Sequence, residues 1–460
     1  MTCLRRKRIG IKKQSLKHLL YMKILSSLRQ RTLLVLLTSL ISLNGLAQYK
    51  PTDEIRKAQQ EFQDAKFGIF IHWGIYSMLG DGEWVMNTKN INYLEYPHLA
   101  DGFYPSKFNA EEWIKTFKAA GAKYITFTSR HHDGFSMFKT KTSNYNVVDG
   151  SPFHRDILKE IADACHKQDM NLHVYYSHLD WHRTDYPLGR TGLNLGRPTD
   201  KQNYASYLKF MEQQLTEILT GYGPVGAIWF DGVWDHDEDK VPFDWHLTEQ
   251  YDLIHRLQPS CLVANNHHGT PFPGEDIQIF EQDLPGENTY GLSGQDISAL
   301  PLETCLTMNG IWGYRITDKN YKSSETLIRE LVRAAGKNCN LLLNVGPRPD
   351  GQLPAEAIER LQAIGKWLDA NGETIYGTRG GIVAPHQWGV STQKGNRLFI
   401  HILNYSDRSL FVPITGKKVT KAQMFANKAK VGMVKTSDGV LLQLPAVPTG
   451  VDTIVELTLK

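Results

Sequence analysis

An acidic residue ends a short apolar run near the middle of the 460-residue chain. Residues 225–230 read VGAIWF, and Asp231 and Gly232 follow directly. Apolar runs of this length are typical of strands buried on both faces of a parallel sheet. A carboxylate at the carboxyl end of such a strand lies where α/β barrels place their chemistry. The competing interpretation is that Asp231 caps a turn, because Asp-Gly is a common turn dipeptide.

Other side chains capable of chemistry stand where further predicted strands end. They are His72, His131, His132, Tyr175, Trp229, His267, His268, Glu281, Glu303, Trp312 and Asn344. Converging aromatic rings suit the apolar face of a sugar, while His, Asn and carboxylate groups bind its hydroxyls. Glycosidic cleavage also needs two carboxyl groups, one ionised and one protonated, and Asp231 and a glutamate of the sixth-strand region supply them. The sequence has no GxxxxGK[ST] phosphate loop and no GxSxG motif, and no cofactor is predicted.

Two other function classes stay open on these residues alone. A metal-dependent hydrolase would use the same His and Asp side chains, although the first predicted strand lacks an HxH pair of ligands. A sugar-binding protein without catalysis would need only the aromatic and hydroxyl-binding groups. The presence of carboxylates at two strand ends argues against this last class.

The segments that must position these residues alternate between strand and helix patterns. Predicted strands cover residues 66–74, 123–135, 171–182, 225–230, 261–269, 276–285, 303–314 and 338–347, and predicted helices cover 109–121, 155–168, 203–220, 245–258, 324–336 and 354–372. Eight strands mostly separated by helices predict a (β/α)8 TIM-like barrel. The long segments 269–276 and 283–302 interrupt this regularity, and long loops in a barrel are often functional.

The chain divides into three predicted parts. Residues 1–47 form a signal peptide, residues 48–375 the catalytic barrel, and residues 376–460 a C-terminal β-sandwich. Short alternating runs such as NRLFIHILNY and DTIVELTLK, without intervening helices, indicate the antiparallel sandwich. A structural role against the barrel is the favoured interpretation of this part, and carbohydrate binding is the alternative.

The first 31 residues carry ten Lys and Arg and no acidic residue. An apolar run of about 13 residues follows, which is shorter than the roughly 20 residues that span a bilayer. This pattern predicts a secretory signal cleaved after Ala47, with Met22 as an alternative start. The protein is expected to be exported to the periplasm or secreted, with no stable membrane insertion after cleavage. The remaining chain is net acidic, so no nucleic-acid partner is predicted.

Four cysteines remain after the predicted cleavage site: Cys165, Cys261, Cys305 and Cys339. They are widely spaced and form no CxxC pair, so a zinc site is not indicated. Because they fall in predicted strands or near helix ends, buried free thiols are favoured over disulfides.

Six motifs in order carry a specific resemblance. KFGIFIHWGIYS, GEWV, TSRHHDGFSMF, VYYSHLDW, IWFDG and TMNGIWGY resemble the α-L-fucosidases of glycoside hydrolase family 29. The resemblance covers residues 51–375, and the trailing sandwich also fits that family. It implies a retaining mechanism through a covalent fucosyl–enzyme intermediate, a fucosylated glycan or oligosaccharide as substrate, and no metal.

The resemblance also implies roles for single residues. The Asp of the WxD motif is the family's nucleophile, and it corresponds to Asp231. The residues implied to bind fucose or to belong to the same rim are His72, Glu83, His131, His132, Tyr175, Trp229 and Trp312. Among them, Trp312 corresponds to the aromatic residue near the fucose methyl group.

The acid/base is implied less directly. The family has an Asp followed five residues later by Glu late in the sixth strand, and Asp276 and Glu281 have that spacing. Glu287 in PGENTYG is the alternative, and Glu275 is a third candidate. Some members carry an Arg near the end of the fifth strand, where this chain reads ANNHHG. His267 is expected to take the place of that Arg.

Overall fold

The computed structural model describes residues 49–460, in which eight parallel strands form a barrel. The strands are β1 (Phe67–Ile71), β2 (Tyr124–Arg130), β3 (Asn171–Ser177), β4 (Ala227–Asp231), β5 (Leu262–Asn266), β6 (Gln278–Glu281), β7 (Leu302–Thr307) and β8 (Cys339–Val345). They pair in the order β5-β4-β3-β2-β1-β8-β7-β6. A bridge between Ala264 and Ile277 closes the remaining side, and Ile277 N donates to Val263 O at 3.2 Å. The predicted barrel is therefore confirmed.

Helices lie between most of these strands. They are α1 (Asp53–Ala65), which precedes β1, α2 (Val85–Thr88), α3 (Ala110–Ala119), α4 (Ile157–Lys167), α5 (Tyr204–Gly221), α6 (Leu247–Leu257), α7 (Ser324–Gly336) and α8 (Ala355–Asn371), with short 3-10 segments at Ile75–Leu79, Tyr96–Gly102, Val233–His236 and Gly372–Thr374. Polar side chains begin several of them; Asn109, for example, accepts from Glu112 N at 3.1 Å. Within residues 49–460, β5, β6 and β7 are joined by loops without helices, in agreement with the long segments 269–276 and 283–302.

Helix α1 covers the amino end of the barrel. Its apolar residues Ile55 and Phe62 are buried, and the Phe62 ring lies 5.4 Å from the ring of Tyr124 at the start of β2. Asn340 Nδ2, at the start of β8, donates to Phe62 O at 2.6 Å. Because this end is filled by packed side chains, the carboxyl ends of the strands are the face left for a binding site.

Two antiparallel sheets follow the barrel. One contains β9 (Arg379–Gly380), β10 (Gly389–Lys394), β11 (Arg397–Ile402), β13 (Val419–Met424) and β16 (Thr453–Leu459), and the other β12 (Ser409–Pro413), β14 (Gly432–Lys435) and β15 (Gly439–Gln443). Alternate apolar side chains such as Leu398, Val412 and Leu442 form their common core. The predicted antiparallel sandwich is confirmed, while the domain boundary at residue 375 stays a prediction.

Two smaller sequence expectations concern the same described residues. Cys165, Cys261, Cys305 and Cys339 are buried and free, as predicted. No helix within residues 49–460 is both long and apolar enough to cross a membrane. The predicted signal peptide and its cleavage site lie outside the residues that the structure describes.

Candidate active site

A cavity of about 200 Å³ opens at the carboxyl ends of the barrel strands. Its lining consists of Phe70, His72, Trp84, His131, His132, Tyr175, Arg190, Trp229, Asp231, Trp234, Asn266, His268, Glu281, Leu292, Cys305 and Trp312. Asp231 and Glu281 are among them, as are six of the eight residues expected to bind the sugar, all except Glu83 and His267. The barrel thus brings together side chains that are far apart in the sequence.

Asp231 is the last residue of β4, and its carboxylate points into this cavity. Oδ2 accepts from Tyr175 Oη at 2.9 Å and lies 3.5 Å from His132 Nε2, while Oδ1 accepts from Trp234 Nε1 at 3.0 Å. The 3-10 segment that begins after Gly232 receives no side-chain cap, so the turn-capping interpretation of Asp231 is wrong. Burial, and then the charge of Glu281, raise the pKa of Asp231 to about 6, although both hydrogen bonds lower it.

Glu281 ends β6 on another side of the same cavity. Its Oε2 accepts from Asn266 Nδ2 at 2.7 Å and lies 2.9 Å from His268 Nε2. Burial favours the neutral acid, but the hydrogen bond and charge of His268, helped by Asn266, outweigh burial and lower the pKa of Glu281. The two carboxyl groups of the cavity therefore differ in their surroundings, with aromatic donors around Asp231 and an imidazole beside Glu281.

The hydrogen-bond network assigns the proton positions of two cavity histidines. Ser177 Oγ donates its hydrogen to Leu179 O at 2.7 Å, so at 2.8 Å it accepts from His132 Nδ1. Asn344 Nδ2 donates to the main chain at 2.7 Å, and its Oδ1 therefore accepts from His72 Nδ1, also at 2.7 Å. Burial keeps both rings neutral by lowering the pKa of His72 to about 3 and that of His132 well below its ordinary value. Each ring is left with an unprotonated Nε2, which can accept a hydrogen bond from a sugar hydroxyl.

A buried ion pair holds the segment that carries His131 and His132. The guanidinium of Arg130, the last residue of β2, bonds the Asp180 carboxylate and donates to Ser177 O at 3.0 Å. Both side chains of the pair are fully buried. This pair ties the end of β2 to the end of β3, so the histidines and the serine that orients His132 keep one relative position.

Aromatic rings form the floor of the cavity. Tyr175 and Trp229 stack with centroids 5.5 Å apart, and the Phe70 ring lies edge-on to Trp229 at 5.0 Å. Trp229 Nε1 donates to Glu303 Oε1 at 2.8 Å, so Glu303 lies beneath the floor and does not line the cavity. Burial raises the pKa of Glu303 to about 7. Apolar rings beneath hydroxyl-binding histidines match the two faces of a sugar.

Three predicted site residues lie elsewhere. Glu83 is buried outside the cavity lining, and its Oε2 accepts from Gly313 N at 2.6 Å, so it tethers the segment that carries Trp312. Glu287 is half-exposed and pairs with Lys337 Nζ at 2.9 Å. His267 Nε2 lies 3.1 Å from Glu275 Oε2 instead of facing the cavity. Glu275, the third acid/base candidate, is thus paired with His267 and does not line the cavity.

His268, and not His267, occupies the cavity beside Glu281. His268 lies beyond the end of β5, in a turn where its φ is 58°. Within β5 the side chains alternate, so Asn266 faces the cavity and Asn265 faces the outer side. Asn265 Nδ2 accordingly donates to Tyr251 Oη, which lies on the outer side, at 2.8 Å. Because a turn directs His268 to the cavity, strand periodicity in the sequence could not have distinguished it from His267.

Sequence reasoning also missed lining residues on strands, namely Phe70 on β1, Asn266 on β5 and Cys305 on β7, and others on the connections between strands. Arg190 lies on the loop after β3, with its guanidinium 5.3 Å from the centre of the Trp234 ring, and Leu292 lies on the loop after β6. Trp84 stacks on Trp234 at 5.8 Å. Loop positions have no periodicity, so no sequence signal identified Arg190 or Leu292 as part of the cavity.

The residues described offer no ligand set for a metal. Within residues 49–460, no three His, Cys, Asp or Glu side chains are grouped so that they could hold a metal ion. Paired carboxylates at the strand ends of a barrel, above stacked rings, are instead the arrangement of a glycoside hydrolase. That class is the one which the fold and the site define together.

Comparisons with known proteins identify the family. The alpha-L-fucosidase family model matches residues 41–373. A tissue alpha-L-fucosidase of Macaca fascicularis is 30% identical over 438 residues, covering 86% of this chain and 87% of that protein. The solved structure of alpha-L-fucosidase isoenzyme 1 from Paenibacillus thiaminolyticus is 33% identical with a TM-score of 0.77, covering 88% of this chain and all of that one. The chain therefore belongs to the α-L-fucosidase family and is an α-L-fucosidase, a glycoside hydrolase acting on fucosylated glycans.

A further solved structure bears on chemistry. It is a trapped covalent intermediate of the family 29 alpha-L-fucosidase from Bacteroides thetaiotaomicron, in complex with 2-fluoro-fucosyl fluoride. That protein is 25% identical to this chain with a TM-score of 0.77, and the match covers 90% of this chain and 98% of that one. The resemblance found in the motifs is thus confirmed at the level of family and fold.

Proposed function

We propose that this enzyme is a retaining exo-α-L-fucosidase in which Asp231 is the nucleophile and Glu281 the acid/base. The observation that carries the proposal is the meeting of these two carboxyl groups in one cavity, each at the end of a barrel strand. Glu287, the alternative acid/base, is bonded to Lys337 and lies outside the cavity lining. A floor of packed rings beneath a cavity of about 200 Å³ supports an exo mode, because it suits the end of a sugar chain and not a passage through the barrel.

In the first step the Asp231 carboxylate attacks the anomeric carbon, and the bond to the leaving oxygen breaks as Glu281 donates a proton to it. In the second step Glu281 takes a proton from water, whose oxygen attacks the anomeric carbon and displaces Asp231. The unprotonated Nε2 atoms of His72 and His132 accept hydrogen bonds from fucose hydroxyls. Two displacements at one carbon return the sugar to its original configuration.

The stereochemistry of the product tests this proposal. During hydrolysis of an aryl α-L-fucoside followed by proton NMR, we expect the α-anomer of fucose to appear first and the β-anomer only through later mutarotation. Appearance of the β-anomer first would mean a single displacement and would contradict a nucleophilic role for Asp231.

The pH dependence of kcat/KM follows from the pKa of Asp231. Since this pKa is raised to about 6 and the nucleophile must be ionised, kcat/KM should fall about tenfold per pH unit below that value. This acid fall of kcat/KM comes from protonation of Asp231 in the free enzyme. It should therefore be absent from the hydrolysis of a pre-formed fucosyl–enzyme, in which Asp231 is already esterified. A kcat/KM that stays constant down to about pH 4.5 would contradict an Asp231 that must be ionised.

Export belongs to the same proposal. It is supported by the basic and apolar pattern of residues 1–47, with cleavage after Ala47. Amino-terminal sequencing of the protein purified from its own cells should begin at Gln48, and a retained Met1 or Met22 in the mature protein would contradict it.

A further inference from the structure

His268 lines the cavity and also contacts the carboxylate of Glu281, the proposed acid/base. Its Nε2 lies 2.9 Å from Glu281 Oε2, and both side chains are at most one-fifth exposed. Asn266 Nδ2 shares that oxygen at 2.7 Å. Within the described chain no protein group bonds Glu281 Oε1, so one carboxylate oxygen is held while the other stays available.

The charges around this pair conflict with the simplest acid/base cycle. A general acid must hold its proton at the working pH, whereas the pKa of Glu281 is lowered by its neighbours. Burial would lower the pKa of His268, but the hydrogen bond and charge of Glu281 outweigh it and raise that pKa. Both shifts favour a proton on the imidazole and an ionised Glu281 in the free enzyme, whereas a general acid must start with its own proton.

We propose that His268 is the proton partner of Glu281, storing the catalytic proton in the free enzyme and passing it along the Nε2–Oε2 hydrogen bond when substrate fills the cavity. This inference rests on the proposed function, because it takes Glu281 as the acid/base. It adds a positioning and proton-sharing residue to that reaction.

The proton count closes over one turnover. The free state, with ionised Asp231, ionised Glu281 and cationic His268, holds as many protons as the reactive state with ionised Asp231, neutral Glu281 and neutral His268. Glu281 gives its proton to the leaving oxygen as the anomeric C–O bond breaks and the bond to Asp231 forms. In the second step the water proton passes to Glu281 and then back to His268.

Substrate binding supplies the driving force for the transfer. A charged pair is stabilised by the water that fills an open cavity, and it loses this stabilisation when a sugar displaces the water. A neutral carboxyl–imidazole pair is then favoured over the ion pair. Because Glu281 lines the cavity, a sugar that enters it displaces the water around this carboxylate.

Few other groups titrate in the same pH range beside this pair. The charged or titratable groups facing it are Asp231 on β4, Tyr175 on β3, Cys305 on β7, His72 and Glu83 after β1, Asp237 after β4 and the cavity-lining Arg190. Burial keeps the His72 ring and the Cys305 thiol neutral, since it lowers the pKa of the first and raises that of the second. The alkaline limb of kcat/KM is therefore expected to follow His268, above the ordinary pKa of histidine.

Kinetics of two substitutions test the proposal. His268→Gln keeps a donor to Glu281 without a labile proton, and His268→Arg keeps a donor and a permanent positive charge. We expect both to lose roughly 10–100-fold in kcat/KM on a phenyl α-L-fucoside and less than about threefold on a 2,4-dinitrophenyl fucoside, with Arg more impaired than Gln. Recovery of wild-type activity by Arg, or an equal loss on both substrates with an unchanged pH profile, would overturn the proposal.

Two comparisons keep the result interpretable. His267→Gln, which alters the neighbouring histidine outside the cavity, should retain the wild-type dependence on the leaving group. Glu281→Gln in the same assay separates the acid/base role of Glu281 from the proton partnership of His268. If this variant does not increase the dependence on the leaving group, the proposed function fails whatever the His268 variants show. If it does so while both His268 variants behave as wild type, only the proton partnership fails.

A measurement on the unaltered enzyme avoids any effect of substitution on folding. With 15N-labelled histidine, the ring nitrogens of His268 should show an imidazolium near neutral pH in the free enzyme. They should show a neutral ring when a non-hydrolysable phenyl thio-α-L-fucoside is bound. The same protonation state in both samples would overturn the proposal.

Discussion

Replacing Asp231 by Ala should abolish hydrolysis of aryl α-L-fucosides, with kcat lowered on the order of 10⁴-fold. The carboxylate is the group proposed to form the covalent bond. Among residues 49–460, no other carboxylate accepts the hydrogen bonds that Tyr175 and Trp234 donate to it. Since both donors are aromatic side chains that also pack on neighbours, the loss should be catalytic and not structural. Steady-state kinetics beside a thermal unfolding curve will separate the two effects.

A matched control and a rescue sharpen this result. Asp252→Ala removes an exposed carboxylate from α6, on the outside of the barrel, and should leave kcat unchanged. Azide added to the Asp231→Ala enzyme should restore turnover and yield a β-fucosyl azide, because azide occupies the face that the carboxylate has vacated. Near-normal activity of the alanine variant without azide would sink the assignment of Asp231.

Replacing Glu281 by Ala should have the second largest effect, and one that depends on the leaving group. Without proton donation, kcat/KM on a phenyl fucoside should fall by about 10²–10⁴-fold. A dinitrophenyl fucoside, whose leaving group needs no proton, should retain fast fucosylation of the enzyme. The second step then becomes slow, because no base activates water, and azide should accelerate it.

Glu287→Ala is the decisive comparison for Glu281. Glu287 is bonded to Lys337 outside the cavity lining, so its removal should change kcat/KM by less than about threefold on either substrate. If Glu287→Ala instead shows the leaving-group dependence and azide rescue, the acid/base has been assigned to the wrong glutamate.

The sequence predicted most reliably what depends on periodicity. The run that ends at Asp231 predicted a buried strand, and β4 spans Ala227–Asp231 with every residue buried. Predicted strands were too long where a motif continues past the ladder: residues 123–135 were assigned to one strand, whereas β2 ends at Arg130. His131 and His132 leave the strand there, and this turn directs them into the cavity.

Sequence reasoning failed where orientation or loop geometry decides the outcome. It chose His267 by position, whereas the turn after β5, in which His268 has a φ of 58°, places His268 in the cavity beside Asn266. Glu83 stands next to Trp84, which lines the cavity, yet its own carboxylate turns to Gly313 N. Which of two neighbouring residues faces a cavity depends on backbone direction, and a motif does not contain that information.

The order of the carboxyl pKa values also required the structure. Asp231 and Glu281 are chemically similar groups, and their side chains are similarly enclosed, with 12% and 15% of their surface exposed. Their difference comes from partners far apart in sequence: Tyr175 and Trp234 surround one, while Asn266 and His268 hold the other. Only the closed barrel brings these partners within hydrogen-bonding distance.

The central claim is that Asp231 forms a covalent bond to the sugar, and one measurement tests it most directly. The enzyme is incubated with 2-fluoro-fucosyl fluoride, digested, and analysed by tandem mass spectrometry. We predict time-dependent inactivation and one 2-fluorofucosyl group per chain, located on the carboxylate of Asp231. A label on any other residue, or inactivation without a covalent adduct, would contradict the account.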